Sequence, residues 1–102
     1  MAQVIALYKT PANAAAFDAY YYGSHVPLAK TLPGLRGYEV SAGPVVTPAG
    51  PAPFHLVALL QFDSLAAVKA ALASKEGMAT AADLANFAQA GVDLLIFDTK
   101  PV

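Results

Sequence analysis

The segment covering residues 54–62 constrains the fold most, because it predicts a β-strand that is apolar on both faces. No glycine, proline or charged residue interrupts it. Side chains alternate between the two faces of a strand, so the faces are Phe54, Leu56, Ala58, Leu60 and Phe62 against His55, Val57, Leu59 and Gln61. A sheet with one solvated face alternates apolar and polar residues. We therefore expect both faces of this sheet to be covered.

The composition supports this expectation. Apolar residues form 57% of the chain and charged residues 13%, against roughly 45–50% and 25% in an average soluble domain. A chain of 102 residues has too little interior to bury so much apolar surface. A second copy of the chain or an apolar cavity would account for the excess. A bias towards alanine and leucine without any partner is the alternative explanation.

The order of predicted elements defines the fold class. Strands are predicted at residues 3–8, 35–41, 54–62 and 92–97, and helices at residues 14–22, 28–32, 65–73 and 78–90. The order strand, helix, strand, strand, helix, strand is the ferredoxin-like βαββαβ plan of the α+β class. We expect one domain spanning residues 1–102, with an antiparallel sheet. A homodimer through the open sheet face would then close a dimeric α/β barrel.

Local signals set the predicted helix boundaries. Asn13 and Ser64 are suitable N-caps, and Gly91 is a natural stop. Pro27 disfavours helical angles at the residue before it, so Val26 should separate two helical pieces. Residues 43–53 contain four prolines and two glycines, which predicts a loop without regular structure.

Charge and residue content exclude several classes of protein. The net charge is −1 and the six basic residues are scattered, unlike the basic surface that binds nucleic acid. Cysteine is absent, which excludes disulfides and thiolate chemistry. The longest strongly apolar run, residues 56–60, is far below the ~20 residues of a membrane span. With no leader-like segment at the amino terminus, we expect a cytoplasmic protein that binds neither nucleic acid nor membrane.

The best candidate site is the pair formed by Tyr21 and His25. Residues four apart lie on one face of a helix, and histidine exchanges protons most readily near neutral pH. His25 could act as a general acid or base, or it could cap a helix carbonyl. Tyr21 could orient His25 or contact a ligand, or its ring could simply pack in the core.

Other polar residues carry weaker signals. His55 should be exposed at a strand end, and the two histidines lack the clustered carboxylates of a metal site. Asp83 lies on a largely apolar segment, where we expect a helix cap or a salt bridge to Lys75 or Arg36. The phenylalanines at positions 54, 62, 87 and 97 should lie in the core, with some forming a pocket wall. Neither a glycine-rich phosphate loop nor a nucleophile elbow is present.

Two groups of residues resemble the EthD family, named for ethyl tert-butyl ether degradation. The first is Phe17-x-x-Tyr20-Tyr21-x-x-x-His25-x-Pro27-Leu28-Ala29, then Leu32-Pro33-Gly34-Leu35 and Tyr38. The second is Ser74-x-Glu76-Gly77 and Ala82-Asp83-Leu84-x-Asn86-Phe87-Ala88. The resemblance implies a ferredoxin-like dimeric α/β barrel. It also implies kinship with small cofactor-free monooxygenases, isomerases and polyketide cyclases.

These observations lead to a hypothesis about function. We expect a small cofactor-free enzyme that acts on a hydrophobic, oxygenated or aromatic small molecule, with His25 moving a proton and Tyr21 positioning His25 or the ligand. The reaction would be decarboxylation, dehydration, isomerisation or cofactor-free oxygenation. Ligand contacts are predicted from Phe17, Leu28, Tyr38, Phe54 and Phe87. A non-catalytic ligand-binding or accessory protein of a degradation pathway, or a dimer whose cavity is packed shut, remains an alternative.

Overall fold

A computed structural model describes residues 1–102. The strands are β1 (Ala2–Lys9), β2 (Gly37–Val40), β3 (Val46–Thr47), β4 (Gly50–Pro51), β5 (Phe54–Phe62) and β6 (Val92–Asp98). The α-helices are α1 (Ala14–Tyr20), α2 (Val26–Ala29), α3 (Leu65–Ala73) and α4 (Lys75–Asp83). A π-helical turn (Tyr21–His25) joins α1 to α2, and a 3₁₀ turn (Leu84–Asn86) follows α4.

The main sheet has four antiparallel strands in the order β2-β5-β1-β6. The two long strands β1 and β5 form its centre and pair from Ala2–Phe62 to Tyr8–Leu56. This is the strand order of the ferredoxin-like plan, and the predicted α+β fold class is confirmed. The barrel that a second copy would close remains a prediction.

One face of the sheet packs against the helices and forms the core. Phe17 from α1, Tyr21 from the π-helical turn, and Val68 and Ala71 from α3 are all buried there. The sheet contributes alternate residues to this core: Ala2, Ala6, Tyr8, Leu56, Ala58, Leu60 and Phe62. The alternation predicted for residues 54–62 is confirmed from Leu56 onward.

The opposite face of the sheet carries no element of this chain. Leu95 and Phe97 lie on it, because they pair with Ile5 and Gln3, and their exposed fractions are 49% and 42%. The prediction that Phe97 lies in the core is therefore wrong. Its strand is at the sheet edge, where even the helix-side residue Leu94 is 51% exposed.

The helix boundaries differ from the prediction at two places. Val26 keeps helical angles (φ −58°, ψ −48°), and its N–H donates to the carbonyl of Tyr21. The wider π-helical turn thus carries the chain past Pro27 without the predicted break. The last long helix begins at Lys75 rather than Met78, because the Ser74 side chain accepts a hydrogen bond from the N–H of Gly77. The predicted caps Asn13 and Ser64 are confirmed.

The segment predicted as an irregular loop contains a short hairpin formed by β3 and β4. Among the helices, none has the length and apolar character needed to cross a membrane. The cytoplasmic location remains a prediction.

Candidate functional site

The π-helical turn presents Tyr21 and His25 to the interior. Their exposed fractions are 0% and 4%, and their ring centroids lie 5.5 Å apart. Phe87 packs against the imidazole at 4.6 Å. The structure therefore brings the two predicted catalytic residues together in a buried aromatic setting.

His25 is paired with a carboxylate rather than with a helix carbonyl. Its Nδ1 atom lies 2.8 Å from Oδ2 of Asp83. The other carboxylate oxygen accepts hydrogen bonds from the hydroxyl of Tyr20 at 2.6 Å and from the amide of Asn86 at 2.9 Å. The predicted salt bridge from Asp83 to Lys75 or Arg36 is wrong, because the carboxylate of Asp83 pairs with His25 instead.

The charge state of Asp83 follows from its hydrogen bonds. Burial raises the pKa of Asp83, but the hydrogen bonds from Tyr20, Asn86 and His25 outweigh burial and hold that pKa below its ordinary value. An ionised carboxylate only accepts hydrogen bonds, so Nδ1 of His25 must carry the proton. In the neutral imidazole, Nε2 then has a lone pair that is available as a base.

A cavity of about 80 Å³ lies beside His25, between the sheet and the helices. Tyr8, Tyr38, Leu72, Thr80 and Leu94 are among its lining residues, and most of the lining is apolar. Nε2 of His25 has no hydrogen-bond partner in the chain, and no fully enclosed polar side-chain atom is left unpaired. Nε2 is therefore accessible. Because His25 lines this cavity, we infer that Nε2 faces it.

Three tyrosines lie around the imidazole and the cavity. The hydroxyls of Tyr21 and Tyr38 lie 2.6 Å apart, and the ring of Tyr21 stacks on Phe17 at 5.9 Å. Burial raises the pKa of Tyr8, Tyr21 and Tyr38, so all three remain protonated at neutral pH. Tyr21 therefore combines core packing with a hydrogen bond to a residue that lines the cavity.

The predicted ligand contacts lie in different places. Tyr38 lines the cavity, whereas Phe17 and Phe87 belong to the core and line a separate groove of about 640 Å³, together with Asn86. Leu28 and Phe54 are not among the residues that line the cavity.

A β-bulge explains the position of Phe54. The register pairs Tyr8 with Leu56 but Lys9 with Phe54, so His55 has no partner. Directly paired residues share a sheet face, and Phe54 therefore lies with Lys9 on the side opposite to Leu56. The prediction that placed Phe54 and Leu56 on one face did not include this extra residue.

The same bulge turns His55 towards α1. Its Nε2 atom lies 2.8 Å from Oδ1 of Asp18, and its side chain is only 23% exposed. The prediction of a freely exposed histidine is wrong, because a bulge redirects a side chain. This second pair borders its own cavity of about 330 Å³ and does not join the His25 site.

Sequence reasoning missed Asp83 and Tyr8 as parts of the site. Asp83 lies 58 residues from His25, and no local pattern indicates their contact. Tyr8 lies two residues after Ala6 on the first strand, so the alternation of that strand places both side chains on the same face. This signal could have identified Tyr8 as a residue that faces the helices. No cluster of three or more histidine, cysteine, aspartate or glutamate side chains is placed to hold a metal ion.

The fold and the site define a small α+β protein with a buried His–Asp pair beside an apolar cavity. The EthD domain model matches residues 9–91, and the chain belongs to the EthD family. A relative from Rhodococcus erythropolis, an uncharacterized 11.0 kDa protein of the thcB–thcC intergenic region, is 40% identical over 103 residues, covering 100% of this chain and 98% of that protein.

Solved structures agree with this assignment. An ethyl tert-butyl ether degradation family protein from Bacillus halodurans has a TM-score of 0.89 and 33% identity, covering 98% of this chain and 99% of that one. SnoaB, a cofactor-independent oxygenase from Streptomyces nogalater, has a TM-score of 0.67 and 14% identity over 99% and 94% of the two chains. A dimeric ferredoxin-like protein from Bacteroides fragilis has a TM-score of 0.64 and 18% identity over 96% and 95%. At these lower identities the likeness concerns the fold alone.

Proposed function

We propose that this chain is a small cofactor-free enzyme that transfers protons on a compact, hydrophobic, oxygenated or aromatic molecule. His25 is the general base or acid, and Asp83 holds it. The observation that carries the proposal is the Nδ1–Oδ2 hydrogen bond of 2.8 Å, which leaves Nε2 free beside an apolar cavity. A carboxylate partner fixes the imidazole tautomer and stabilises the imidazolium formed when Nε2 takes a proton.

The surroundings of His25 suit proton transfer. Most of the cavity wall is apolar, and in a medium of low polarity the hydrogen bonds to a developing charge become stronger. Decarboxylation, dehydration and isomerisation each need one group that moves a proton. Cofactor-free oxygenation, the activity named for the Streptomyces protein that shares the fold, is a further chemistry to test.

The cavity volume bears on the size of the substrate. Pockets for drug-sized ligands hold roughly 300–1,000 Å³, whereas this cavity holds about 80 Å³. A molecule of a few non-hydrogen atoms fills it. A larger ligand would place its reacting end inside and extend past the exposed side chains of Leu72 and Leu94 at the rim.

We also propose a homodimer formed through the open sheet face. Ile5, Leu7, Val57, Leu59 and Leu95 give this face an apolar surface, since their registers place them together. Dimeric ferredoxin-like neighbours support the association. A second copy would cover the apolar area that the single chain leaves open.

A non-catalytic ligand-binding or accessory role is the second candidate. The single histidine and the small cavity favour it, because a binding protein needs no second acid or base. The two candidates differ in what happens to the ligand, which a binding protein releases unchanged.

The test is incubation of the purified protein with sets of small oxygenated metabolites, followed by mass spectrometry. His25→Ala should abolish turnover while the dimer stays folded, and His55→Ala is the matched control for loss of a histidine. Conversion by wild type and His55→Ala but not by His25→Ala supports the enzyme. Binding without conversion supports the second candidate, and conversion retained in His25→Ala removes the proposed mechanism.

A further inference from the structure

The cavity beside His25 contains a second polar group that has no hydrogen-bond partner in the chain, the hydroxyl of Tyr8. Its side chain is nearly enclosed, with an exposed fraction of 2%, and its hydroxyl makes no hydrogen bond within the chain. Every fully enclosed polar side-chain atom of the chain has a hydrogen-bond partner. The hydroxyl of Tyr8 has none, so it is not fully enclosed. Tyr8 lines the same cavity as His25.

The two residues are held by shared neighbours. The ring of Tyr8 lies 5.5 Å from Tyr21 and 5.5 Å from Phe87. His25 packs against the same two rings at 5.5 Å and 4.6 Å. One aromatic cluster therefore fixes both polar groups relative to the cavity.

Two other hydroxyls of the lining already have partners in the chain. The hydroxyl of Tyr38 pairs with that of Tyr21, and the hydroxyl of Thr80 donates to the carbonyl of Glu76 at 2.8 Å. Among the hydroxyls of the lining, that of Tyr8 is the one without a partner, so it can donate to a ligand, and Nε2 of the neutral His25 ring can accept. A complementary ligand offers an oxygen that accepts a hydrogen bond and, close by, a proton that can be removed.

We infer that the cavity binds an enolisable carbonyl compound, with the hydroxyl of Tyr8 donating to the carbonyl oxygen while Nε2 of His25 removes a proton from the adjacent carbon. This inference rests on the proposed function and names its substrate class. It also assigns Tyr8 as a catalytic residue, because it touches the reacting oxygen. A free carboxylate does not suit the cavity, since it would bring a second negative charge near Asp83, and this argues against decarboxylation among the reactions proposed above.

The step balances without an oxidant or a reductant. The C–H bond breaks, its proton goes to Nε2, and its electron pair forms a carbon–carbon double bond. The π pair of the carbonyl moves to oxygen, where Tyr8 stabilises the enolate as an oxyanion-hole donor does. The imidazolium then returns the proton to the same carbon, or to the far end of a conjugated system, which is an isomerisation.

Deuterium uptake tests this step without knowledge of the natural substrate. The probe is cyclopentanone in D₂O, and exchange of its α-hydrogens is followed by mass spectrometry. We expect wild-type protein to accelerate exchange, His25→Ala to abolish the acceleration, and Tyr8→Phe to reduce it about a hundredfold. Tyr22→Phe, which removes the hydroxyl of a half-exposed residue that does not line the cavity, should exchange at the wild-type rate.

A binding measurement separates the role of Tyr8 from a general loss of fold. Cyclopentanone labelled with ¹³C at the carbonyl should show a downfield shift on binding to wild type and to Tyr22→Phe, and a smaller shift with Tyr8→Phe. Cyclopentane, which lacks the oxygen, should bind equally to all three proteins. Equal ketone shifts and equal exchange rates in wild type and Tyr8→Phe would overturn the role of Tyr8.

The outcomes also distinguish this inference from the proposed function. No exchange by wild type, together with His25-dependent conversion of a substrate that lacks a carbonyl, would overturn the substrate class and leave the proposed function intact. Exchange by His25→Ala at the wild-type rate would overturn both.

Discussion

His25 and Asp83 lie 58 residues apart in the chain, yet their side chains meet at 2.8 Å. The π-helical turn supplies the histidine, and the last residue of α4 supplies the carboxylate. Tyr20 and Asn86 hold the other carboxylate oxygen. The pair therefore joins the two helical segments that cover the sheet, and its histidine lines the cavity.

Replacing Asp83 by asparagine should remove the base while leaving the cavity in place. The amide of asparagine can donate to Nδ1, which favours the tautomer with the proton on Nε2. We expect the His25-dependent rate to fall by roughly 10²–10⁴-fold, in the range seen when the carboxylate of a catalytic triad is replaced by an amide. The rate of proton exchange on the ketone probe and the ¹⁵N shifts of His25 report the two effects.

Asp63→Asn is the matched control for that variant. Asp63 pairs with Arg36 on the surface, away from the cavity, so its loss should leave both the rate and the imidazole shifts unchanged. An Asp83→Asn protein with wild-type activity and an unchanged tautomer would show that the carboxylate does not orient the histidine.

Asp83 should also make stability depend on pH at the acid end. Its pKa in the folded protein lies below the ordinary 3.8, so its hydrogen bonds stabilise the fold above that ordinary pKa. The stabilisation is lost as the pH falls through the lowered pKa. We expect Asp83→Asn to lower the free energy of unfolding by about 1–2 kcal/mol at pH 6, and this difference should shrink towards pH 2.

Urea denaturation of the two proteins between pH 6 and pH 2 measures that difference. Asp93→Asn, at an exposed position of the edge strand β6, serves as the control for loss of one carboxylate and should follow the wild-type curve. A constant gap between wild type and Asp83→Asn over the whole range would contradict the linkage.

The parts of this fold that were predictable from the sequence depend on local rules. Alternation predicts the central strand, and the side chains of Asn13 and Ser64 start their helices as expected. The π-helical turn was missed because the effect of a proline on the preceding residue is a preference that a wider turn can override.

The site was less predictable, since it depends on long-range contacts. The proximity of Tyr21 and His25 follows from their spacing, but the partner of His25 comes from a helix end 58 residues away. The bulge at His55 moves Phe54 to the other face of the sheet. No residue type in that segment predicts an extra residue in the register. The partner of His25 and the bulge at His55 depend on how distant segments pack against each other. Local sequence patterns do not predict such packing.

Gly77 should tolerate no side chain. A Cβ atom at this position would lie 2.7 Å from the Cα of Leu72 and would collide with the carbonyl oxygen of Ala71, because α4 crosses close to the end of α3. We expect Gly77→Ala to lower the free energy of unfolding by about 1–3 kcal/mol, as overpacking does. Gly23→Ala is the control, since a Cβ there meets nothing within 4 Å. It should be neutral or stabilising by up to about 1 kcal/mol through helix propensity. Thermal unfolding followed by circular dichroism compares the two, and equal melting temperatures would contradict the close approach.

A charge at the centre of the open sheet face should separate the proposed dimer. Ile5 lies between Leu59 and Leu95 in one row across the sheet, so a lysine there would be buried by a second copy without a partner. We expect Ile5→Lys to sediment as a monomer where the wild type sediments as a dimer, because burying an unpaired charge costs several kcal/mol. Leu95→Lys, at a site that is already 49% exposed in the single chain, repeats the test with less risk to folding. Met78→Lys on α4, where the side chain is 61% exposed, is the control and should remain dimeric. Folded Ile5→Lys and Leu95→Lys proteins that still sediment as dimers would place the interface on another surface.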